Sequence, residues 1–321
     1  MKLRPIPKKS LSDQAQTVRT PKNMFKGKPL RIAAILIFLA ATIFYGIFIL
    51  NLSPGKIAFT KYQVAAEQYL NGTIQKERIL DFSPLYLYLN IFARQFVENP
   101  PHFMLWIQII LVSLAAVLLF LLLKLFFNWT LSIVGAIAFV TNKSIILYSI
   151  TMEPEPLIIF FILGFVYFGT RTIITRSSIY SILSGLFLGL SVFTRLNFFP
   201  LVLVIPIYLL IKYWDNKKWL RPVLMFGIPV LVLMSFLMLR NSSMAGSFTL
   251  IQMNPGQVIY EGNNPNSLGE SAIYPPLVKE FANQFPDQAD FEHAIYRFFA
   301  RSIKNEPLSI NQVNWFWTKK G

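Results

Sequence analysis

The chain has 321 residues, 54% of them hydrophobic and only 14% charged, against about 25% charged in a soluble domain. That balance excludes an ordinary soluble enzyme, and the absence of cysteine excludes disulfides and thiolate metal sites. The net charge of +15 is concentrated at Lys2–Arg31 and Lys212–Arg221, next to apolar runs, which is the positive-inside pattern and not a nucleic-acid surface.

Residues 1–30 are basic and rich in Pro, Ser and Thr, and read as a disordered cytoplasmic tail held near anionic lipid. A polar segment this long ahead of the first apolar run does not fit a cleavable signal. Ile32–Leu52 is the first predicted span, running outward. Residues 53–102 are too polar to span and form an outer loop with two helical patterns. Lys61–Leu70 puts Tyr62, Ala65, Ala66 and Tyr69 on one face. Pro84–Val97 does the same with Leu85, Tyr88, Leu89 and Phe92, and Pro84 suits a helix start. Both helices are expected along the membrane interface.

Phe103–Phe127 is the second span, inward. Trp129–Ser149 is the third, outward, fraying near Asn142–Lys143. Glu153-Pro-Glu-Pro156 breaks any helix and lies outside. The fourth span begins at Leu157 and ends near Arg171 and Arg176. Ser178–Tyr213 as a single helix would be about 54 Å long at ~1.5 Å per residue, too long for a bilayer core of about 30 Å. It must fold back, and Arg195-Leu-Asn197 is its polar break, so two spans are predicted with Arg195 outside. Lys212–Arg221 is a cytoplasmic loop and Pro222–Leu239 the seventh span. Residues 31–240 are thus an all-α, multi-pass membrane domain of about seven spans. Residues 241–321 form a nearly neutral outer segment, with a helical pattern over Phe291–Ile303.

The outer loops hold the chemically interesting residues. Glu67, Glu77, Asp81 and Glu98 lie in the first of them. A carboxylate there can act as a general base only if it is held in place. Otherwise it is a solvated loop charge. Asp81 is the best placed, because Phe82-Ser83-Pro84 fixes the chain beside it. Glu153 and Glu155 stand at the mouth of a helix pair, where membrane-edge acids point to function; the plain alternative is a polar turn. Two carboxylates are also a donor set for a divalent cation, Mg²⁺ or Mn²⁺, and no other cofactor is indicated. Arg195 and Arg240 are cations at membrane edges, suited to a lipid phosphate through charge-assisted bonds or simply snorkelling to headgroups.

A resemblance follows from the order of these motifs. Tyr62-x-x-x-Ala66, Asn71-Gly72 and Ser83-Pro-Leu-Tyr86 resemble the first outer loop of the GT-C membrane glycosyltransferases, nearest to the protein O-mannosyltransferase-like branch (glycosyltransferase family 39) and its aminoarabinose-transferase relatives. Met152-Glu-Pro-Glu-Pro-Leu157, the Gly-rich run Gly185–Arg195, Arg240-Asn241, Gly246-Ser-Phe248 and Glu261-Gly-Asn-Asn-Pro265 continue the likeness. It implies a GT-C fold and a polyprenyl-phosphate-linked sugar as donor. It also implies inverting transfer to an acceptor of unknown kind on the extracytoplasmic face, in a bacterial plasma membrane with the N-terminus cytoplasmic. Such proteins usually have more than seven spans, so this chain is expected to be an N-terminal portion.

The acid that the family carries shortly before the matched tyrosine is missing from Ala58-Phe59-Thr60-Lys61, as is the Lys that some relatives carry before the Pro-Leu segment. The implied base then falls to Asp81, with Glu67 second, or the chain is inactive. Glu153 and Glu155 would position acceptor or metal, and Arg195 and Arg240 the donor phosphate. Two other readings compete: a non-catalytic, lipid-binding partner subunit, and a transporter. The transporter would need paired charges within spans and broken helices in matching halves.

Overall fold

The computed structural model describes residues 27–51, 61–74, 79–80, 82–212, 220–246 and 248–249. Among them there is no strand, and the protein is all-helical as expected. In chain order the helices are α1 Lys28–Leu50, α2 Lys61–Leu70, α3 Pro84–Phe96, α4 Pro100–Leu123, α5 Trp129–Val140 and α6 Lys143–Ile150, followed by α7 Glu155–Thr175, α8 Ser178–Thr194, α9 Phe199–Lys212 and α10 Leu220–Ala245. Two compact units divide the chain. One comprises residues 1–73 and 83–235, the other residues 74–82 and 236–321.

Four helices, α1, α4, α7 and α10, are each long and apolar enough to cross a membrane. The expected third span is two helices, α5 and α6, bent by 51°. The cause is local. Asn142 caps the second piece, its side-chain oxygen accepting from the N–H groups of Ser144 and Ile145, which starts a new helix instead of extending the old one. Among the described residues four spans, or five with the bent pair, have membrane-crossing length where seven were expected. The helices α8 and α9, of 17 and 14 residues, are shorter apolar segments. Their boundary is the predicted one: Arg195 ends α8 with extended backbone (φ −143, ψ 124). Beyond it Leu201, Val202 and Ile205 of α9 pack on Leu188 of α8, in a cluster with Phe226 and Val230 of α10.

Within the first unit α4 is the central helix. Met104, Leu105, Ile109, Val112, Ala115, Ala116 and Phe120 are buried along it, and it packs against α1, α3, α5, α6 and α7. Lipid is as apolar as these side chains, so helix association here depends on close packing and hydrogen bonds. The Gly-rich run of α8 supplies the close packing. A Cβ on Gly185 would lie 2.1 Å from the carbonyl oxygen of Phe226, so only glycine lets α8 meet α10 there. Ser184 adds a hydrogen bond of 3.1 Å to the carbonyl of Phe165 on α7.

The two helices predicted for the first outer loop form where expected, and burial shows which of their faces packs on protein. In α2 the buried residues are Tyr62, Gln63, Ala65 and Ala66, while Tyr69 is exposed. In α3 they are Pro84, Tyr86, Leu87, Asn90, Ile91 and Ala93, and Phe92, from the predicted aromatic face, is 50% exposed. The more polar face turns inward: Tyr86 finds a partner in Gln108 of α4, which lipid would not offer, and Asn90 donates to the Tyr86 carbonyl of its own helix.

Candidate functional site

Pro154 and Pro156 shape the segment that joins α6 to α7. Pro156 stands in the first turn of α7, where its missing N–H costs nothing. Glu155 is the first residue of the helix, where a carboxylate gains from the helix dipole. Glu153 lies just outside, half-buried. The segment is fixed from below by a fully buried amide in the central helix. Gln108 of α4 directs its side-chain NH₂ at the carbonyls of Thr151 (2.7 Å), Tyr148 (3.2 Å) and Glu153 (3.3 Å). Its carbonyl accepts from the Tyr86 hydroxyl of α3 at 3.2 Å. One side chain therefore ties the roof helix and the Glu153 loop to the central span. Gln63 of α2 adds a contact to the thioether of the buried Met152.

Arg195 approaches from the other side. It ends α8, and its guanidinium donates to Glu155 Oε1. Side-chain exposure is 43% for Arg195 and 20% for Glu155, and Glu155 Oε2 is buried without a hydrogen-bond partner. The backbone just before Arg195 is anchored by α3: Ser83, the N-cap of that helix, donates its hydroxyl to the Thr194 carbonyl. The Ser83 N–H in turn points to the Tyr62 hydroxyl at 3.4 Å, and the Tyr62 and Tyr86 rings meet edge-on at 4.8 Å. Lys61 lies over the Tyr62 ring.

The electrostatics follow from this crowding. Burial pushes the Glu153 carboxyl above its ordinary value; the Glu155 charge pushes the same way, while Lys61 and Arg195 oppose. Burial likewise raises the Tyr62 phenol to about 12, so it stays protonated. A half-buried carboxylate of raised basicity beside a guanidinium held by a second carboxylate suits proton abstraction next to an anion site.

Of the residues singled out in the sequence, Glu153, Glu155 and Arg195 come together here. Glu67 stands on the exposed side of α2 and pairs with Arg94 of α3 at 3.0 Å. Asp81 lies outside the described residues. Arg240 belongs to the second unit, where it donates to the Asn241 side chain at 2.8 Å and to the Ile79 carbonyl at 3.4 Å. No group of three His, Asp or Glu residues able to hold a metal occurs among the described residues. Glu153 and Glu155 offer two carboxylates at most, and Arg195 already engages one, which is a poor set for a divalent cation. The residues that sequence reasoning missed are Gln108, Gln63 and the paired tyrosines. Gln108 had a legible signal, a lone amide within an apolar run of 24 residues.

Residues 81–239 match the family model for dolichyl-phosphate-mannose-protein mannosyltransferase, which bears out over that stretch the resemblance read from the sequence. The match contains Glu153, Glu155, Arg195 and Gln108, and excludes α1, α2 and Arg240. No curated protein and no solved structure matches the chain. The chain thus carries a segment similar to a membrane glycosyltransferase family, just under half its length, and among the described residues four or five apolar stretches long enough to cross a membrane.

Proposed function

We propose that the chain transfers a sugar from a polyprenyl-phosphate donor to a hydroxyl acceptor on the extracytoplasmic face. The observation that carries the reading is the Arg195–Glu155 pair with Glu153 beside it, at the helix ends inside the family match. The acceptor hydroxyl gives its proton to a carboxylate as its oxygen attacks the anomeric carbon. The bond from that carbon to the phosphate oxygen breaks, its electron pair leaves with polyprenyl phosphate, and the anomeric configuration inverts. Arg195 meets the charge that grows on the leaving phosphate, which is where binding energy accelerates the step. Glu155 holds the guanidinium ready. Glu153 is the base that the described geometry favours, and Asp81 is retained as the other candidate on sequence grounds. Arg240 is proposed as a second phosphate ligand. A bacterial plasma membrane with a cytoplasmic N-terminus accords with the Lys/Arg asymmetry.

The test is incubation of the membrane-embedded protein with labelled polyprenyl-phosphate sugars. The expected result is loss of label from the lipid, abolished in Glu153→Gln or in Asp81→Asn, whichever removes the base. The missing acid before Tyr62 favours one alternative, a non-catalytic lipid-binding member. Donor binding without transfer, even in the chain extended by any downstream spans, would establish that alternative and overturn the catalytic reading.

A further inference from the structure

At the Gln63 side of α2 lies a pocket that the proposed reaction does not use. It has a volume of about 160 Å³ and is lined by Gln63 of α2, Asn90 and Arg94 of α3, and Pro100 and Pro101 at the start of α4. Gln63 is 4% exposed, and one polar atom of its amide, Oε1, is buried with no hydrogen-bond partner. An unsatisfied buried amide is costly, so something that completes it is favoured there. Asn90, 3% exposed, gives its NH₂ to the Tyr86 carbonyl at 2.8 Å. Its side chain is thus already engaged by its own helix, and Gln63 carries the open valence of the wall. Arg94 brings a guanidinium, with Nη2 taken by Glu67.

The chemistry of the wall limits the ligand. Glu67 cancels the charge of Arg94, so a phosphate or carboxylate gains little. Turning the Gln63 amide over would exchange the unpaired oxygen for an unpaired N–H, and a hydroxyl, being donor and acceptor at once, satisfies either. A cavity of this size admits a ligand about as large as one sugar ring and not a folded peptide segment or a lipid. The two prolines supply flat apolar contact. The pocket also borders the reaction centre, because the Gln63 amide touches Met152, the residue before Glu153.

We propose that this pocket is the acceptor subsite and takes one neutral, polyhydroxylated sugar unit, whose hydroxyl is presented toward the Glu153 loop. The proposal rests on the glycosyltransferase reading for the word acceptor, but the pocket's ligand class does not. The test is saturation-transfer NMR on the purified full chain in lipid nanodiscs, with methyl glycosides of common hexoses and pentoses as probes and a Ser/Thr-containing peptide as the competing class. Transfer to at least one glycoside is expected, with affinity weakened about tenfold or more in Gln63→Met and in Arg94→Gln. Arg94→Gln changes a partly exposed pair and guards against misfolding of the first variant.

If no glycoside binds, if binding is indifferent to both pocket variants, or if only the peptide binds, the proposal is overturned. Glycoside binding that depends on Gln63 and Arg94, in a chain that transfers no sugar, would uphold the pocket and remove the catalytic reading instead.

Discussion

Arg195→Ala separates a phosphate ligand from a mere counter-ion. In the folded chain Arg195 serves Glu155, and the pair is 43% and 20% exposed at its two side chains. A solvent-screened pair of this kind contributes about 0.2–1 kcal/mol, toward the upper end here because Glu155 is mostly covered. If Arg195 also meets the leaving phosphate, its loss removes a charge-assisted contact made in the transition state, about a hundred- to a thousandfold in turnover, or about 2.7–4 kcal/mol. The two effects differ enough to be told apart. The decisive variant is the double change Arg195→Ala with Glu155→Gln, which removes the orphaned carboxylate along with the cation. Its thermal midpoint in detergent should return close to that of the unaltered chain, while transfer from the labelled donor should stay depressed. Arg195→Lys keeps a point charge without the planar fork and should restore part of the activity. Full turnover in the double variant would show that Arg195 only neutralises Glu155, and the phosphate role would fall.

The pH profile gives an independent check. If Glu153 is the base, kcat/KM rises with pH as that carboxyl ionises. Glu155→Gln removes a like charge and releases Arg195, so the acid limb should move to lower pH, whereas Lys61→Met should move it to higher pH; limbs that ignore both variants would point to another base, Asp81 first. Gln108→Leu deprives the Thr151 carbonyl and the Tyr86 hydroxyl of their partner. The expected cost is about 1–3 kcal/mol in thermal stability with a fall in turnover, and a variant unchanged in both would deny Gln108 its positioning role. Gly185→Ala forces a methyl onto the Phe226 carbonyl, which cannot swing away as a side chain would; a loss of about 1–3 kcal/mol should appear in unfolding scans, and a neutral result would mean that α8 and α10 separate at no cost.

Much of this was legible because hydrophobic length and charge position are direct records of a bilayer. The break at Arg195 followed from arithmetic on an apolar run too long for one span, and the Glu-Pro-Glu-Pro segment announced a helix start by its prolines. The apolar faces of α2 and α3 were legible, but which face packs on protein was not, for a physical reason. Apolar periodicity shows which face can tolerate lipid, and with protein on one side and membrane on the other, the apolar face need not be the one that packs. Tyr86 turns inward because Gln108 gives it a partner, while Asn90 is satisfied in part by its own helix backbone. The bend after Val140 depended on a single side chain, Asn142, choosing to cap. Sequence spacing alone also could not show that Glu67, one turn from Gln63, faces Arg94 while Gln63 faces Met152.

The cost of the Glu153 arrangement is itself an argument for its use. Its carboxyl is raised above the unfolded value, so the folded chain holds the proton more tightly than the unfolded one. That costs nothing well below the unfolded value, and the penalty grows as pH rises through the folded value, where the charge must be carried half-buried. At neutral pH Glu153→Gln should therefore leave the fold as stable or more so. Around this unfavourable charge stand a buried amide in mid-span, a serine hydroxyl anchoring the end of α8 and a tyrosine pair, each of which fixes backbone and none of which neutralises Glu153. A purely structural turn would need no such acid and would be better built with a neutral residue. Expensive charge held by rigid support is the combination expected where a proton must be taken at a defined point.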